Sequence, residues 1–96
     1  MATQVQDAAE RSRYEASVES ELAGFAEYTD RGDARLLTHT EVLDAYEGKG
    51  VGSDLVKGAL DDVRARGLKV VPLCSFVRAY VGRHPEYADL VADGAR

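Results

Sequence analysis

Glu47-Gly48-Lys49-Gly50-Val51-Gly52-Ser53 is the stretch on which the fold turns. Its glycines, at every second position, mark a tight chain reversal, and directly after it the hydrophobic period changes. Val51, Leu55, Val56, Ala59, Leu60 and Val63 fall at spacings of four, one, three, one and three, the apolar stripe of an amphipathic helix. Gly67 stands just beyond Arg64 and Arg66, where a helix ends in a left-handed residue and basic side chains suit the negative end of its dipole. The junction thus brings permissive backbone and the positive end of a helix to one point, an arrangement suited to a phosphate or pyrophosphate; the structural alternative is a plain strand-to-helix turn. Two better-known phosphate motifs fit worse. A P-loop needs four residues between its first glycine and a Gly-Lys-Ser/Thr end, and a dinucleotide fingerprint needs a parallel βαβ unit and a glycine where Leu55 stands.

Upstream the period is two. Tyr14, Ala16 and Val18 alternate with Glu15, Ser17 and Glu19, Leu22 to Tyr28 reads as a second strand, and Ala34 to Val42 as a third after the polar turn Thr29-Asp30-Arg31-Gly32-Asp33. Consecutive strands with short turns predict an antiparallel meander. Residues 1–12 are polar without a sustained period and read as a flexible N-terminal segment. Downstream, Leu68 to Leu73 is a short strand whose Pro72 assigns it to an edge, Ser75 is suited to cap a helix bearing Phe76, Val77, Tyr80 and Val81, and Pro85 to start a last helix through Val91 that Gly94 ends. The expected class is α+β: three strands, helix, strand and two short helices, in a single domain over residues 13–96.

Length and composition agree with one small domain: 96 residues, 45% hydrophobic and 30% charged. No apolar run is long enough to span a membrane, and the polar, acidic start is unlike a signal peptide, so a soluble cytoplasmic protein is expected. Cys74 stands alone and the chain has two histidines, which argues against disulfides and structural metal. The net charge of −5 divides unevenly: residues 1–47 carry 4 basic and 11 acidic side chains, residues 48–96 carry 8 basic and 6 acidic. That balance disfavours nucleic acid and favours a phosphate-bearing small molecule held by the second half.

Strand, glycine turn written x-x-x-Gly50-x-Gly52, helix and strand together resemble the acyl-CoA signature Gln/Arg-x-x-Gly-x-Gly/Ala of the GNAT superfamily of N-acyltransferases. Four blocks in order carry the likeness to its short, single-domain members: His39-Thr40-Glu41-Val42, Tyr46 to Ser53, Gly67 to Cys74, and Arg83-His84-Pro85-Glu86-Tyr87. Glu47 stands where the superfamily places Gln or Arg, so the resemblance implies backbone rather than side-chain contacts at that position. It further implies a minimal GNAT-like fold binding acetyl-CoA. The amides of Gly48, Lys49, Gly50, Val51, Gly52 and Ser53 would hold the pyrophosphate, with Lys49 free to neutralise a phosphate. The pantetheine arm would lie along the strand carrying Thr40, Glu41 and Val42 and pair with its backbone, and that strand would diverge from the one ending at Cys74. The acceptor side would be reduced relative to longer members.

Acetyl transfer needs a nucleophile, a base and a way to carry off the thiolate. Cys74 follows a strand and precedes a helix, a place where a thiolate is favoured, and is either an acyl relay or a packed thiol. His39 and Glu41 share one face of their strand, with Thr38, Thr40 and Val42 on the other; either is a candidate base, or a solvated strand residue. The resemblance implies Tyr80 as a candidate acid, the alternative being a core residue; His84 before Pro85 reads as a turn or cap residue, and Arg78 and Arg83 are candidate partners for a cofactor phosphate or solvated cations. Two classes of function follow: a small acetyl-CoA-dependent N-acetyltransferase acting on an amine of unknown identity, and a non-catalytic CoA-binding or protein-interaction module. Neither nucleic acid nor membrane is an expected partner, and a monomer or weak homodimer is expected.

Overall fold

The computed structural model describes residues 2–93. Five strands form one sheet in the order β1 (Thr3–Ala8), β2 (Arg13–Val18), β3 (Glu21–Arg31), β4 (Ala34–Val42) and β5 (Lys69–Pro72). Neighbours are antiparallel except β4 and β5, which run parallel because the connection between them is the crossing helix α1 (Val51–Ala65). A second helix, α2 (Ser75–Arg83), and a 3₁₀ turn, Pro85–Leu90, pack beside the β5 edge. Among the described residues no helix is long and apolar enough to cross a membrane.

The helical stripe read from the sequence is the core. Val51, Leu55, Val56, Ala59, Leu60 and Val63 are all at most 2% exposed and face Tyr14, Ala16, Ala26 and Leu37 of the sheet. Each Leu or Val so buried contributes about 1.5–3 kcal/mol of hydrophobic stabilisation. Gly67 adopts φ +71° after the helix, as its position predicted. Among the expected elements, β2, β3, β4, α1 and β5 are found, β3 extending through Arg31 so that the hairpin turn is confined to Gly32 and Asp33. The last helix is a 3₁₀ turn ending at Leu90, after which Val91 bridges to Val70; Gly94 lies outside the described residues.

The reading of residues 1–12 as a flexible segment is corrected by β1, which pairs with β2 from Thr3↔Val18 to Ala8↔Arg13. The physical reason sits on α1. Gly58 has no side chain, so the helix descends onto Val5, whose Cβ would be 2.7 Å from a Cβ built at Gly58. One small residue in the helix replaces the long apolar run that the strand itself lacks.

Behind the far end of α1 lies a buried polar cluster. Arg35, 5% exposed, makes a two-pronged contact with Asp30 (2.7 and 2.8 Å), donates to Tyr14 Oη at 2.9 Å and to Asp7 at 3.3 Å, and lies 3.9 Å over the Tyr28 ring. Tyr28 donates to Asp7 and Tyr14 to Asp62, each at 2.6 Å, and Arg66 closes the network on Asp62 at 2.6 Å and Asp7 at 3.1 Å. Burial, with the Asp7 contact, pushes the Tyr28 hydroxyl up to about 12. The network ties β1, β2, β3, β4 and the end of α1 together, and no buried side-chain nitrogen or oxygen among the described residues lacks a partner.

Two predictions follow from these contacts. Gly58→Ala, ordinarily favourable in a helix, should instead cost about 1–3 kcal/mol by overpacking Val5, whereas Gly82→Ala, whose Cβ meets nothing within 4 Å, should be neutral or stabilising by up to about 1 kcal/mol. Urea unfolding of both variants decides it; equal shifts would contradict the β1 packing. The second concerns acid. Hydrogen bonds from Arg35 hold Asp30 below the ordinary carboxylate range; at Asp62 burial opposes ionisation, but the Tyr14 hydroxyl and Arg66 outweigh it. Both groups have depressed folded pKa values, so their stabilisation is complete above the unfolded value of about 4 and is lost as pH falls through the lower folded values. The urea midpoint should hold from pH 7 to 5 and drop below 4. Arg35→Leu should be about 3–5 kcal/mol less stable at pH 7, with a shallower acid loss, unless the cluster is energetically idle.

Candidate functional site

The glycine turn sits at the other end of α1. Gly48 and Gly50 take φ +78° and +80°, a region that favours glycine, and Gly50 is the N-cap of α1 with no side chain capping the helix. A cavity of about 270 Å³ opens there, lined by Val42, Tyr46, Glu47, Gly48, Gly50, Val51, Gly52, Ser53 and Phe76. A Cβ built on Gly48 or Gly50 meets nothing within 4 Å, so the space is open to a ligand approaching the backbone. At Gly52 the Phe76 ring fills that space, 2.7 Å from a built Cβ. Lys49 is exposed and makes no hydrogen bond or ion pair among the described residues. Such a cradle of amides at a helix start fits a pyrophosphate.

The strand leading to the loop is open along one edge. β4 pairs with β5 only from Ala34↔Lys69 to Leu37↔Pro72, so Thr38 to Val42 keep β3 as their one neighbouring strand. The Leu37 carbonyl accepts from both Leu73 and Cys74 amides at 3.1 Å, and the chain then turns into α2. A bulge lies at the same point: Tyr28 pairs with Leu37 and Glu27 with His39, leaving Thr38 unmatched. Strict alternation would put Thr40 and Val42 on the side of Leu36. The bulge instead gives them the face of Leu37, toward α1, with Thr40 opposite buried Ala26.

Cys74, half-buried, is the N-cap of α2, a place the sequence assigned to Ser75. Its Sγ lies 3.6 Å from Thr40 Oγ1 across the gap between the strands. Burial raises the thiol pKa, but the Thr40 hydroxyl and the amides of Val77, Phe76 and Thr40 more than offset it, leaving the thiol more acidic than an ordinary cysteine. His39 and Glu41 are not in this gap. They point from the opposite face, each about half exposed, with Nε2 and Oε1 at 3.1 Å, and this contact raises the imidazole pKa.

Thus Val42 and the glycine loop share one cavity and Thr40 and Cys74 share one gap, while His39 and Glu41 form a separate pair. Tyr80 is 4% exposed and stacks on His84 at 4.0 Å, which is core packing. Arg78 is exposed and lines a different cavity with Pro72, Val81 and Pro85; Arg83 is exposed. Phe76, expected as a helix residue, and Tyr46, expected to open the loop block, also line the loop cavity; the hint for Phe76 is Gly52, a helix position whose missing side chain makes room for a ring.

A sheet with one helix crossing it, parting strands and a glycine-rich helix start are the marks of an acyl-CoA N-acyltransferase fold. The family model described as GCN5-related N-acetyl-transferase matches residues 13–90, and the chain belongs to that family. Among solved structures, a GCN5-like protein from Staphylococcus aureus superposes with TM-score 0.70 at 22% identity, covering 93% of this chain and 87% of that one. The ribosomal-protein-S18-alanine N-acetyltransferase from Escherichia coli gives 0.63 at 19% identity over 80% and 54%. Protein NATD1 of Homo sapiens is 45% identical over 49 residues, 51% of this chain and 43% of that protein, and the Danio rerio protein 35% identical over 57 residues, 57% and 52%. The matched stretch spans about half the length of these curated relatives.

The thiol's surroundings set a test. Its alkylation by iodoacetamide should reach half its limiting rate below the pH of about 8.5 typical of a free cysteine. Thr40→Val, which removes the hydroxyl, should move that midpoint upward; an unchanged midpoint would mean that the helix amides alone set the acidity.

Proposed function

We propose that this protein binds acetyl-CoA and transfers the acetyl group to an amine. The observation that carries the reading is continuity: the open backbone of Gly48 and Gly50, Val42 in the same cavity, the unpaired edge of β4 and the Cys74 sulfur beside Thr40 follow one another from the start of α1 to the start of α2. The loop amides and Lys49 would hold the pyrophosphate, and the free edge of Thr38 to Val42 would pair with the amide-bearing arm as an added strand does. The donor supplies an activated acyl carbon. Cys74, its thiol more acidic than usual, is suited to attack that carbon once it has given up its proton: a bond forms from its sulfur to the acyl carbon, the original carbon–sulfur bond breaks, and the departing thiolate takes up a proton. The amine then forms the carbon–nitrogen bond, releases Cys74 and gives up its own proton. Direct attack by the amine on the donor is the shorter route, in which Cys74 and Thr40 only shape the gap.

Isothermal titration with acetyl-CoA tests the reading. Binding is expected for the native chain and a loss of at least about tenfold, roughly 1.4 kcal/mol, for Gly50→Val, which combines a strained positive φ with a side chain in the cradle. Native protein that takes up no acetyl-CoA at millimolar concentration would end the proposal. Intact mass after incubation separates the routes: an added acetyl group, absent in Cys74→Ser, is expected for the relay, and its absence leaves direct transfer.

A further inference from the structure

A second cavity, of about 430 Å³, lies on the side of α2 turned away from the glycine loop. Its size is within the range of small-molecule sites, roughly 300–1,000 Å³. Residues two apart on a helix point about 200° from each other, so Phe76 meets Gly52 and the loop while Arg78, with Val81 and Gly82, faces the other way. The remaining walls are Pro72 at the end of β5, and Pro85, Ala88 and Val91 of the segment that folds back to bridge that strand. Two prolines, whose φ is fixed, make part of the lining rigid.

Gly82 has no reason within the fold to be glycine. It lies in the last turn of α2, its φ is not positive, and a Cβ built on it meets nothing within 4 Å. Alanine is the better helix former at such a place, so the glycine gives up some stability and leaves that part of the cavity wall bare. Arg78 is the one charged side chain on the lining. No carboxylate among the described residues pairs with it, whereas Arg11, Arg13, Arg35, Arg64 and Arg66 are all paired. The cavity thus combines a free guanidinium with walls that are otherwise apolar or small.

We propose that this cavity is a binding site for a small monocarboxylate with an apolar body, an arylalkanoate or a compound of that kind. Its carboxylate meets Arg78, whose planar guanidinium matches the two oxygens, and its hydrocarbon part fills the space between Val81, Pro85 and Val91 over Gly82. The site is separate from the acyl-transfer reading above and does not depend on it. Two other occupants are served less well by this lining. A strand from a second copy needs donors and acceptors along the outer edge of β5, but the Val70 carbonyl is already taken by the Ala92 amide at 2.9 Å, and Pro72, the next residue facing outward, has no N–H. A cofactor phosphate monoester carries about two negative charges and would meet a single cation here.

The test follows the amide resonances of the whole, isotope-labelled protein during titration with 4-phenylbutyrate. Its neutral twin 4-phenylbutanamide and acetate, which has the charge without the body, serve as comparisons. Saturable shifts are expected at Arg78, Val81, Gly82, Ala88 and Val91, with a dissociation constant of roughly a millimolar or below for a ligand of this size. The amide and acetate should each bind at least about fivefold more weakly. Arg78→Met should weaken 4-phenylbutyrate at least about fivefold and remove its advantage over the amide. Arg83→Met, the loss of an exposed cation on the same helix outside the lining, should leave binding within about twofold. Gly82→Leu should abolish binding, and Gly82→Ala should weaken it while its urea midpoint holds or rises, which separates a filled site from a damaged fold. Equal binding of acid and amide, equal losses in the two arginine variants, or retained binding in Gly82→Leu would overturn the proposal. So would displacement of 4-phenylbutyrate by acetyl-CoA, which would put Arg78 in the cofactor site. Movement of the same amides when the free protein is diluted from about 1 mM to about 20 µM would give the cavity to a second copy instead and refute the ligand site.

Discussion

The Leu37 carbonyl is where the sheet stops being closed. It accepts hydrogen bonds from Leu73 and Cys74 together, the last backbone link between β4 and β5. Past it β5 cannot continue, because its next residues begin α2 and their amides serve the first turn of a helix instead of a ladder. β4 does continue, for five more residues, with one edge unpaired. The bulge at Thr38 is the counterpart on β4: a residue is left over opposite β3, so Thr40 turns toward α1 and the sulfur while His39 turns away. A gap with a thiol beside it follows from one shared acceptor.

A sheet split at one end needs to be fixed at the other. Arg35 lies in β4 two residues before Leu37, and its partners come from β1, β2, β3 and α1. Removing any one carboxylate would leave a buried guanidinium partly unpaired, so the cluster resists rearrangement more than it adds net stability. The contrast between the two ends of α1 is informative. At its C-terminal end polar side chains satisfy one another; at its N-terminal end the glycine loop offers backbone with no capping side chain. The first end is built to hold a shape and the second leaves hydrogen-bonding capacity free.

What could be read in the sequence was what repeats. The period-two alternation of Tyr14, Ala16 and Val18 and the helical stripe from Val51 to Val63 each have several residues telling the same story, and both are found where expected. β1 was hidden because its inward positions, Thr3, Val5 and Asp7, include one strongly apolar residue; its burial is decided by Gly58, more than fifty positions away. Arg35 interrupts an otherwise apolar strand face, and only the fold supplies the three aspartates that make it tolerable. The turn into α1 was legible because glycines at that spacing, followed by a helical stripe, mark a chain reversal, and Gly48 and Gly50 take the positive φ that such a turn needs. The orientation of His39 and Glu41 was not, since a bulge changes facing without changing composition.

The acidic balance of the chain and an anionic ligand at the loop are compatible for a structural reason. Gly52 and Phe76 are both in the first turns of their helices, α1 and α2, and the ring of one rests against the bare backbone of the other. Two helix starts are thereby pressed together, each with the positive end of its dipole. Their combined field is local, decays within about one helical turn, and is independent of how many carboxylates the distant strands carry. The same field bears on Cys74, which sits at the second of the two starts and is held more acidic by the α2 amides. Gly52 therefore does more than permit a turn. By admitting Phe76 it sets the spacing between the two helix starts, so a substitution there would disturb the loop and the thiol together, although the residue touches only the first.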